Sequence, residues 1–171
     1  MHSRPLTLTT TRFKENTWEC NQTFRMLHQI HTGCIYGSPQ ELPPTVLPNS
    51  IVFVVEMNND NNQIKGIGMI RNRPLMDKYY NIYKDGNYNR FVYKGKYRLS
   101  RESLNEYNEE LVYVIEHLVF HEKSHLKRGA AFTSITPKLF ARKKDEKCKQ
   151  WNLNKMLDCI AAYFKAEFLR N

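Results

Sequence analysis

Two histidines and a glutamate in the second half of the chain have the spacing of a zinc-hydrolase motif. His121-Glu122-Lys123-Ser124-His125 matches H-E-x-x-H, which on a helix places two imidazoles on one face and a glutamate beside a metal-bound water. The lysine within this motif and the cations after it oppose a dication. We favour a basic loop that contacts a polyanion, and the alternative is a zinc-dependent hydrolase using His121, Glu122 and His125. The predicted contact residues of the loop are Lys123, His125, Lys127 and Arg128.

Cysteines and histidines near the N-terminus are a second set of metal-ligand types. Cys20, His28, His31 and Cys34 follow one another in the order Cys-x7-His-x2-His-x2-Cys, which is not a standard zinc spacing. We expect these side chains to be packed or solvent-facing, and we predict no metal and no other cofactor. No Ser-His-Asp triad, Walker loop or Rossmann fingerprint can be assembled from the sequence.

Positive charge is concentrated in one quarter of the chain. The 171 residues carry 26 Lys and Arg against 17 Asp and Glu, and positions 61 to 101 hold ten basic and two acidic side chains. Six of the ten tyrosines lie between positions 79 and 97. Rings stack on bases while cations hold phosphates, so this stretch predicts a surface for RNA or DNA. The alternative is a solubilising surface whose tyrosines line a strand. The predicted contact residues are Arg71, Arg73, Arg90, Lys94, Lys96 and Arg98.

These side chains must be positioned by a scaffold, and its centre is predicted at Ile51–Met69. A β-branched apolar run, a loop of Asn and Asp, and an alternating run form the sequence of a hairpin. We expect the first strand to be buried on both faces. Gly66 and Gly68 weaken the second strand and indicate that another group approaches it closely. Such a hairpin suits a small barrel.

The remaining elements are predicted from periodicity and turn residues. A first strand is expected at Arg4–Arg12, then a helix opening near Thr17 and ending near Gly33. Further along, the predictions are a short strand at Gly33–Gly37, a proline-rich loop at Ser38–Asn49, two strand pieces around Gly95 within Arg90–Leu99, a helix at Arg101–Val119 capped by Ser100, a strand at Ala130–Thr136, a charged connector at Lys138–Lys149 and an amphipathic helix at Trp151–Leu169.

The length suits one domain with a C-terminal extension. We predict a nucleic-acid-binding domain at 1–140, and a connector with an amphipathic helix at 141–171 that packs on the same domain or binds a protein partner. The four cysteines include no C-x-x-C pair, and the N-terminus lacks the apolar region of a signal peptide. The sequence therefore predicts an intracellular, cytoplasmic or nuclear protein that is neither secreted nor embedded in a membrane.

The order of these elements resembles the PUA-like superfamily, particularly its EVE and YTH branches. The resemblance covers roughly residues 6–136 and is strongest in the hairpin, where Ile64-Lys-Gly-Ile-Gly-Met-Ile70 is similar to the central barrel strand of the family. It implies an α+β fold: a small, mixed β-barrel flanked by helices.

The resemblance also implies a function. It implies nucleic-acid binding, often with a modified or flipped base taken into an aromatic pocket, and we expect this chain to bind without catalysis. The matching pocket residues are Asn16, Trp18 and Tyr36, although a second tryptophan is missing and a tyrosine would have to replace it. The alternatives are a nuclease, as in the related ASCH branch, the zinc hydrolase described above, and a virion or complex scaffold that docks through the C-terminal helix.

Overall fold

A hairpin of two long strands lies at the centre of the structure. The computed structural model describes residues 5–169, and in it the predicted hairpin forms β3 (Ile51–Asn58) and β4 (Gln63–Arg71). The Asn/Asp turn between them closes with Asn62 N donating to Asn58 O, and Asn62 takes the left-handed conformation that asparagine tolerates, with φ 57°. The hairpin and its turn are therefore confirmed.

The other predicted strands and helices form with adjusted ends, and two short helices lie where a charged connector was predicted at Lys138–Lys149. The other strands are β1 (Thr7–Phe13), β2 (Cys34–Ser38), β5 (Phe91–Gly95), β6 (Tyr97–Ser100) and β7 (Phe132–Ser134). The helices are α1 (Glu15–Leu27), α2 (Arg101–Tyr107), α3 (Glu109–Phe120), α4 (Pro137–Arg142), α5 (Glu146–Lys149) and α6 (Leu153–Phe168), with a 3-10 turn at Gly86–Asn89. The start of the predicted first strand, at Arg4, lies outside the described residues.

Five strands form one mixed sheet in the order β6-β4-β3-β1-β7. Strand β3 pairs in parallel with β1 and antiparallel with β4, and β2 and β5 form a separate antiparallel pair. Over residues 5–169 the larger sheet is open, with β6 and β7 at its edges. The α+β class is confirmed, whereas the predicted closure into a barrel is wrong.

The barrel does not close because the chain changes sheet at Gly95. Strand β5 pairs with β2, whereas β6, which begins two residues later, pairs with β4. A Cβ on Gly95 would collide with the carbonyl oxygen of Met69, so the end of β5 lies directly against the backbone of β4. The β2–β5 pair consequently covers one face of the larger sheet and does not extend its ladder.

Strand β3 separates two hydrophobic cores. Alternate side chains point to opposite faces of a strand, and Phe53, Val55 and Met57 pack on the side of α2, α3 and α6. Val52 and Val54 pack on the other side, against residues of α1, β2 and β5. The burial of β3 on both faces is as predicted.

The predicted helix at Arg101–Val119 is divided at Asn108. Ser100 caps α2 as expected, since its side chain accepts a hydrogen bond from Ser103 N. Asn108 then ends α2 in an extended conformation, and its Oδ1 accepts from Leu111 N at the start of α3. An asparagine side chain can cap a new helix better than it can continue an old one, which accounts for the division.

The apolar face of α6 is covered by the rest of the chain. Phe164 lies with its ring centre 5.2 Å from that of Phe53, and Phe168 stacks on Tyr97 at 4.6 Å. Met156 and Ile160 are completely buried. Of the two predicted arrangements, the structure has the one in which the helix packs on its own domain. Within residues 5–169, no helix has both the length and the apolar character needed to cross a bilayer.

Candidate functional site

A cleft of about 930 Å³ opens beside α1, at the end of β1. One wall is the face of α1 from Asn16 to His28, the second is the segment 81–88, and the third is the end of β1 with the segment 127–131. We call it the α1 cleft. Its third wall forms because β7 pairs antiparallel with β1, which brings the residues before β7 to the end of β1. A cleft of this size can hold a drug-sized or nucleotide-sized ligand.

Positive charge dominates the α1 cleft. Its described lining includes five cationic side chains, Arg12, Lys14, Lys84, Lys127 and Arg128. Only two carboxylates line it, Glu19 and Asp85, and Asp85 already accepts a hydrogen bond from Asn87 N. Unneutralised cations around a concave surface concentrate field and attract anions. The cleft therefore favours an anionic ligand.

Arg12 lines the α1 cleft and has an unused hydrogen-bond donor. Its Nη2 donates to the carbonyl oxygen of Gly129, which fixes the guanidinium against the third wall. Its Nη1 is buried without a hydrogen-bond partner in the structure. A buried donor without a partner is costly, and Nη1 is a donor that the other groups of the protein leave unused.

Aromatic rings lie beside these cations. Tyr88 is 46% exposed, whereas the other Phe and Tyr rings of the lining are buried. Phe24 stacks on the imidazole of His28, with ring centres 3.9 Å apart. Tyr83 is buried, and its hydroxyl accepts a hydrogen bond of 3.0 Å from Asn21 Nδ2. Burial raises the pKa of Tyr83, so this hydroxyl stays neutral.

Asn16 is the one predicted pocket residue that lines the α1 cleft. It lies in the first turn of α1, it is exposed, and its Oδ1 accepts a hydrogen bond from Thr17 N. This hydrogen bond occupies the amide oxygen, so the NH2 group is the part of the amide that can serve a ligand. Such a group can donate to the polar edge of a ligand.

Trp18 and Tyr36 are buried and do not line the cleft. Trp18 is 4% exposed, packs edge-on against Phe13, and has the guanidinium carbons of Arg25 and Arg98 each 5.2 Å from its ring centre. Tyr36 is fully buried. The prediction that Trp18 and Tyr36 form a base pocket is thereby corrected, because both rings are buried and pack in the core.

Tyr36 belongs to a buried polar cluster with an ion pair. Its hydroxyl donates to Glu56 Oε2 at 2.6 Å, and Arg98 binds the same carboxylate through Nε and Nη2. Burial opposes the charge of Arg98, but Glu56 outweighs burial and raises the pKa of the guanidinium. Arg98 therefore neutralises Glu56, and the prediction that it contacts phosphate is corrected.

Gly66 and Gly68 accommodate this cluster and the neighbouring strand. A Cβ on Gly68 would collide with the hydroxyl of Tyr36, and a Cβ on Gly66 would collide with the carbonyl oxygen of Leu99 in β6. The predicted close approach to β4 is confirmed. The groups that approach are a core tyrosine and a neighbouring strand.

Four of the predicted cations surround a second cleft, of about 760 Å³. This β4–β5 groove is formed by Met69, Arg71, Arg73–Asp77 and Lys94–Tyr97. Its exposed cations are Arg71, Arg73, Lys94 and Lys96. Arg71 is held in place by a hydrogen bond from its Nη1 to Asn49 O. Asp77 is the one carboxylate in the described lining, and it accepts hydrogen bonds from Tyr80.

Three other predicted contact residues line neither cleft. Arg90 is exposed, with its guanidinium over the ring of Phe91, and Lys123 is exposed. His125 is half-buried, and its Nδ1 accepts a hydrogen bond from Lys127 N. The basic loop thus contributes only Lys127 and Arg128 to the α1 cleft.

The H-E-x-x-H sequence lies outside a helix. Helix α3 ends at Phe120, His121 is extended, and Glu122 has φ 63°. Glu122 Oε2 accepts from His117 Nε2 at 2.7 Å, and its Oε1 accepts from Lys144 N at 3.0 Å. Glu122 therefore links α3 to the connector. Because the helix ends before His121, the motif lacks the helical geometry that a zinc site of this type requires. Among residues 5–169, no three His, Cys, Asp or Glu side chains are arranged to hold a metal ion.

Sequence analysis missed several residues of the α1 cleft. Arg12 lies near the end of β1 and Lys14 follows directly after it, and cations at the end of the first strand were the available signal. Lys84 and Tyr88 lie in the basic, tyrosine-rich stretch but were not singled out. The density of charge and tyrosine therefore indicated the stretch that contains Lys84 and Tyr88, but it did not show which of its residues line the cleft.

No protein-family model matches this chain, and comparisons with curated proteins and with solved structures find no match either. Fold and site together define an α+β protein with two basic clefts.

Proposed function

We propose that this protein binds single-stranded nucleic acid, RNA or DNA, and holds an unpaired base in the α1 cleft. The observation that carries the proposal is the presence of five cations and an exposed tyrosine in one cleft of about 930 Å³. Cations bind phosphates, and a ring stacks on any base. A base within a duplex has both faces covered, so a stacking cleft favours a single strand.

The chemistry of the lining suits each part of a nucleotide. Lys127 and Arg128 lie on the third wall and would contact phosphate, together with the guanidinium of Arg12. Tyr88 provides the stacking face, and Asn16 provides an amide for the base edge. A bound strand would satisfy the donors that the cleft leaves open.

The PUA-like resemblance remains part of the proposal. Its support is the β3–β4 hairpin with Gly66 and Gly68 in β4, which is the stretch in which the sequence resemblance is strongest. We propose that a base, modified or unmodified, stacks on Tyr88 in this protein, in place of the cage expected from Trp18 and Tyr36. Apolar lining from Phe24 and Ile82 is compatible with a methylated base.

Fluorescence anisotropy with labelled 12-nucleotide RNA and DNA, single- and double-stranded, tests the proposal at several salt concentrations. Tyr88→Ala should weaken single-strand binding by about 5- to 150-fold, because stacking contributes about 1–3 kcal/mol per base. Lys127→Gln/Arg128→Gln should lower the slope of log K against log salt by about 1.4, since each phosphate contact contributes about 0.7 for single strands.

A matched control is Lys138→Gln/Lys165→Gln, which removes two exposed cations from α4 and α6. We expect it to bind nearly as the unchanged protein does. Absence of binding, or binding without salt dependence, would contradict the proposed function. A methylated oligonucleotide in the same titration tests the modified-base version, which requires tighter binding of the methylated strand.

A further inference from the structure

The two basic clefts lie at opposite ends of the central strands. Arg71, in the β4–β5 groove, pairs with Ile51 at the start of β3, whereas Phe13, in the α1 cleft, pairs with Asn58 at the end of β3. Seven steps of about 3.3 Å separate these positions along β3, which is about 23 Å. One ligand contacting both clefts must therefore be long.

The segment 72–90 joins the clefts. Its first part, Arg73–Asp77, lines the β4–β5 groove, and its later part, with Lys84 and Tyr88, lines the α1 cleft. Between them the segment crosses the β2–β5 pair, since Leu75 N donates to Val92 O and Gly37 lies against the carbonyl of Tyr88.

Cations and exposed rings continue along this connection. Tyr79 is 66% exposed, and the ammonium of Lys78 lies 5.2 Å from the ring centre of Tyr80. A track of alternating rings and cations suits an extended polynucleotide, because bases stack on the rings while phosphates follow the charges. A compact anion would need only one of the clefts.

We propose that the two clefts are two contact points of one single strand: the α1 cleft holds a base, and the β4–β5 groove holds phosphates about 23 Å away. This inference rests on the proposed function. At 3.4 Å per stacked nucleotide, the span requires about seven nucleotides, and fewer if the strand is extended. A strand long enough to reach both contacts gains affinity because the second contact is intramolecular.

The test compares a 3-nucleotide with a 12-nucleotide strand, each as RNA and as DNA, by fluorescence anisotropy and competition. The longer strand offers about ten positions for a three-nucleotide contact, which alone gives about tenfold. A two-contact mode should give a gain of about a hundredfold or more. Arg71→Gln/Lys94→Gln should reduce the gain to about tenfold and lower the 12-nucleotide salt slope by about 1.4.

The affinity of Arg71→Gln/Lys94→Gln for the 3-nucleotide strand should be within twofold of that of the unchanged protein. The control Lys138→Gln/Lys165→Gln should keep the full gain. If the unchanged protein binds neither strand, the proposed function fails and this inference with it. If it binds the short strand but gains only tenfold with length, or if the groove variant weakens both strands equally, the two-contact inference alone is overturned.

Discussion

Glu56 lies in β3 among apolar residues, and its 1% exposure makes it a buried carboxylate that depends on its hydrogen-bonding partners. Three donors surround its carboxylate: the hydroxyl of Tyr36 and the Nε and Nη2 groups of Arg98. A buried carboxylate is tolerated only when paired and hydrogen-bonded. This requirement explains why Arg98 is withdrawn from the surface, although its basic neighbours in the sequence are exposed.

Replacing Arg98 should therefore destabilise the fold. In Arg98→Met, Glu56 stays buried without its counter-charge, and we expect a loss of about 3 kcal/mol in the free energy of unfolding, measured by urea denaturation. In the double variant Glu56→Gln/Arg98→Met the buried charge is gone, and at least half of the loss should be recovered.

Comparison with Lys96→Met separates this effect from a general loss of positive charge, since Lys96 is exposed. Lys96→Met should change stability by less than about 0.5 kcal/mol. An Arg98→Met protein as stable as the unchanged one would contradict the structural role of the ion pair.

At the scale of elements, the point at which α3 ends determines the contacts of His117 and Glu122. The helix ends at Phe120, and the left-handed backbone of Glu122 turns its carboxylate toward His117 and the backbone of Lys144. The hydrogen bond from His117 is the largest cause of a lowered pKa of Glu122, followed by the hydrogen bond from Lys144 N. A motif that resembles a metal site thus forms a bridge between elements.

This bridge should make stability depend on pH. The folded-state pKa of Glu122 lies below its ordinary value of 4.5, so the stabilising contribution is present above pH 4.5 and is lost as pH falls through the folded-state value. The Tm of Glu122→Gln should be lower than that of the unchanged protein at pH 6, and the difference should shrink toward pH 3.

Glu110→Gln is a suitable control, because Glu110 is exposed in the first turn of α3. It should not reproduce the pH dependence of the Glu122 variant. A Tm difference for Glu122→Gln that stays constant from pH 3 to pH 6 would show that the carboxylate charge has no part in the bridge.

At the scale of the whole molecule, α6 completes the core. Phe164 contacts Phe53 from the central strand, and Tyr163 stacks on Tyr107 of α2 with ring centres 4.9 Å apart. Asn108, between α2 and α3, donates to the hydroxyl of Tyr163. Because the apolar face of α6 is covered in this way, a scaffold role through that face would require the helix to leave its own domain.

Removing residues 152–171 should consequently prevent stable folding. We expect the truncated chain to lose cooperative thermal unfolding and to aggregate, measured by circular dichroism and size-exclusion chromatography, because truncation exposes the core around Phe53. The point variant Phe164→Ala should cost about 3–5 kcal/mol.

Lys165→Ala changes the exposed neighbour of Phe164 and should be nearly neutral. A truncated chain that stays folded, soluble and monomeric would contradict the core role and favour a docking function for the helix.

Local sequence determined most of the elements. Strands β3 and β4, the glycines of β4, the cap at Ser100 and the amphipathic helix α6 follow from side-chain periodicity and turn chemistry, which act within a few residues. The concentration of charge and tyrosine between 61 and 101 was equally visible. These features depend on near neighbours in the chain, so they can be predicted without knowing the fold.

Tertiary structure alone decided which residues share a site. Lys94 and Arg98 are four residues apart and alike in charge, yet one faces a groove and the other is paired with Glu56 in the core. Lys127 meets Arg12 in one cleft only because β7 pairs with β1. The change of sheet at Gly95 likewise depends on distant partners, since β5 pairs with β2 and β6 pairs with β4. Pairings between distant segments depend on packing and loop closure across the whole chain. Periodicity predicts which face of an element a side chain lies on, but it does not predict which segment covers that face.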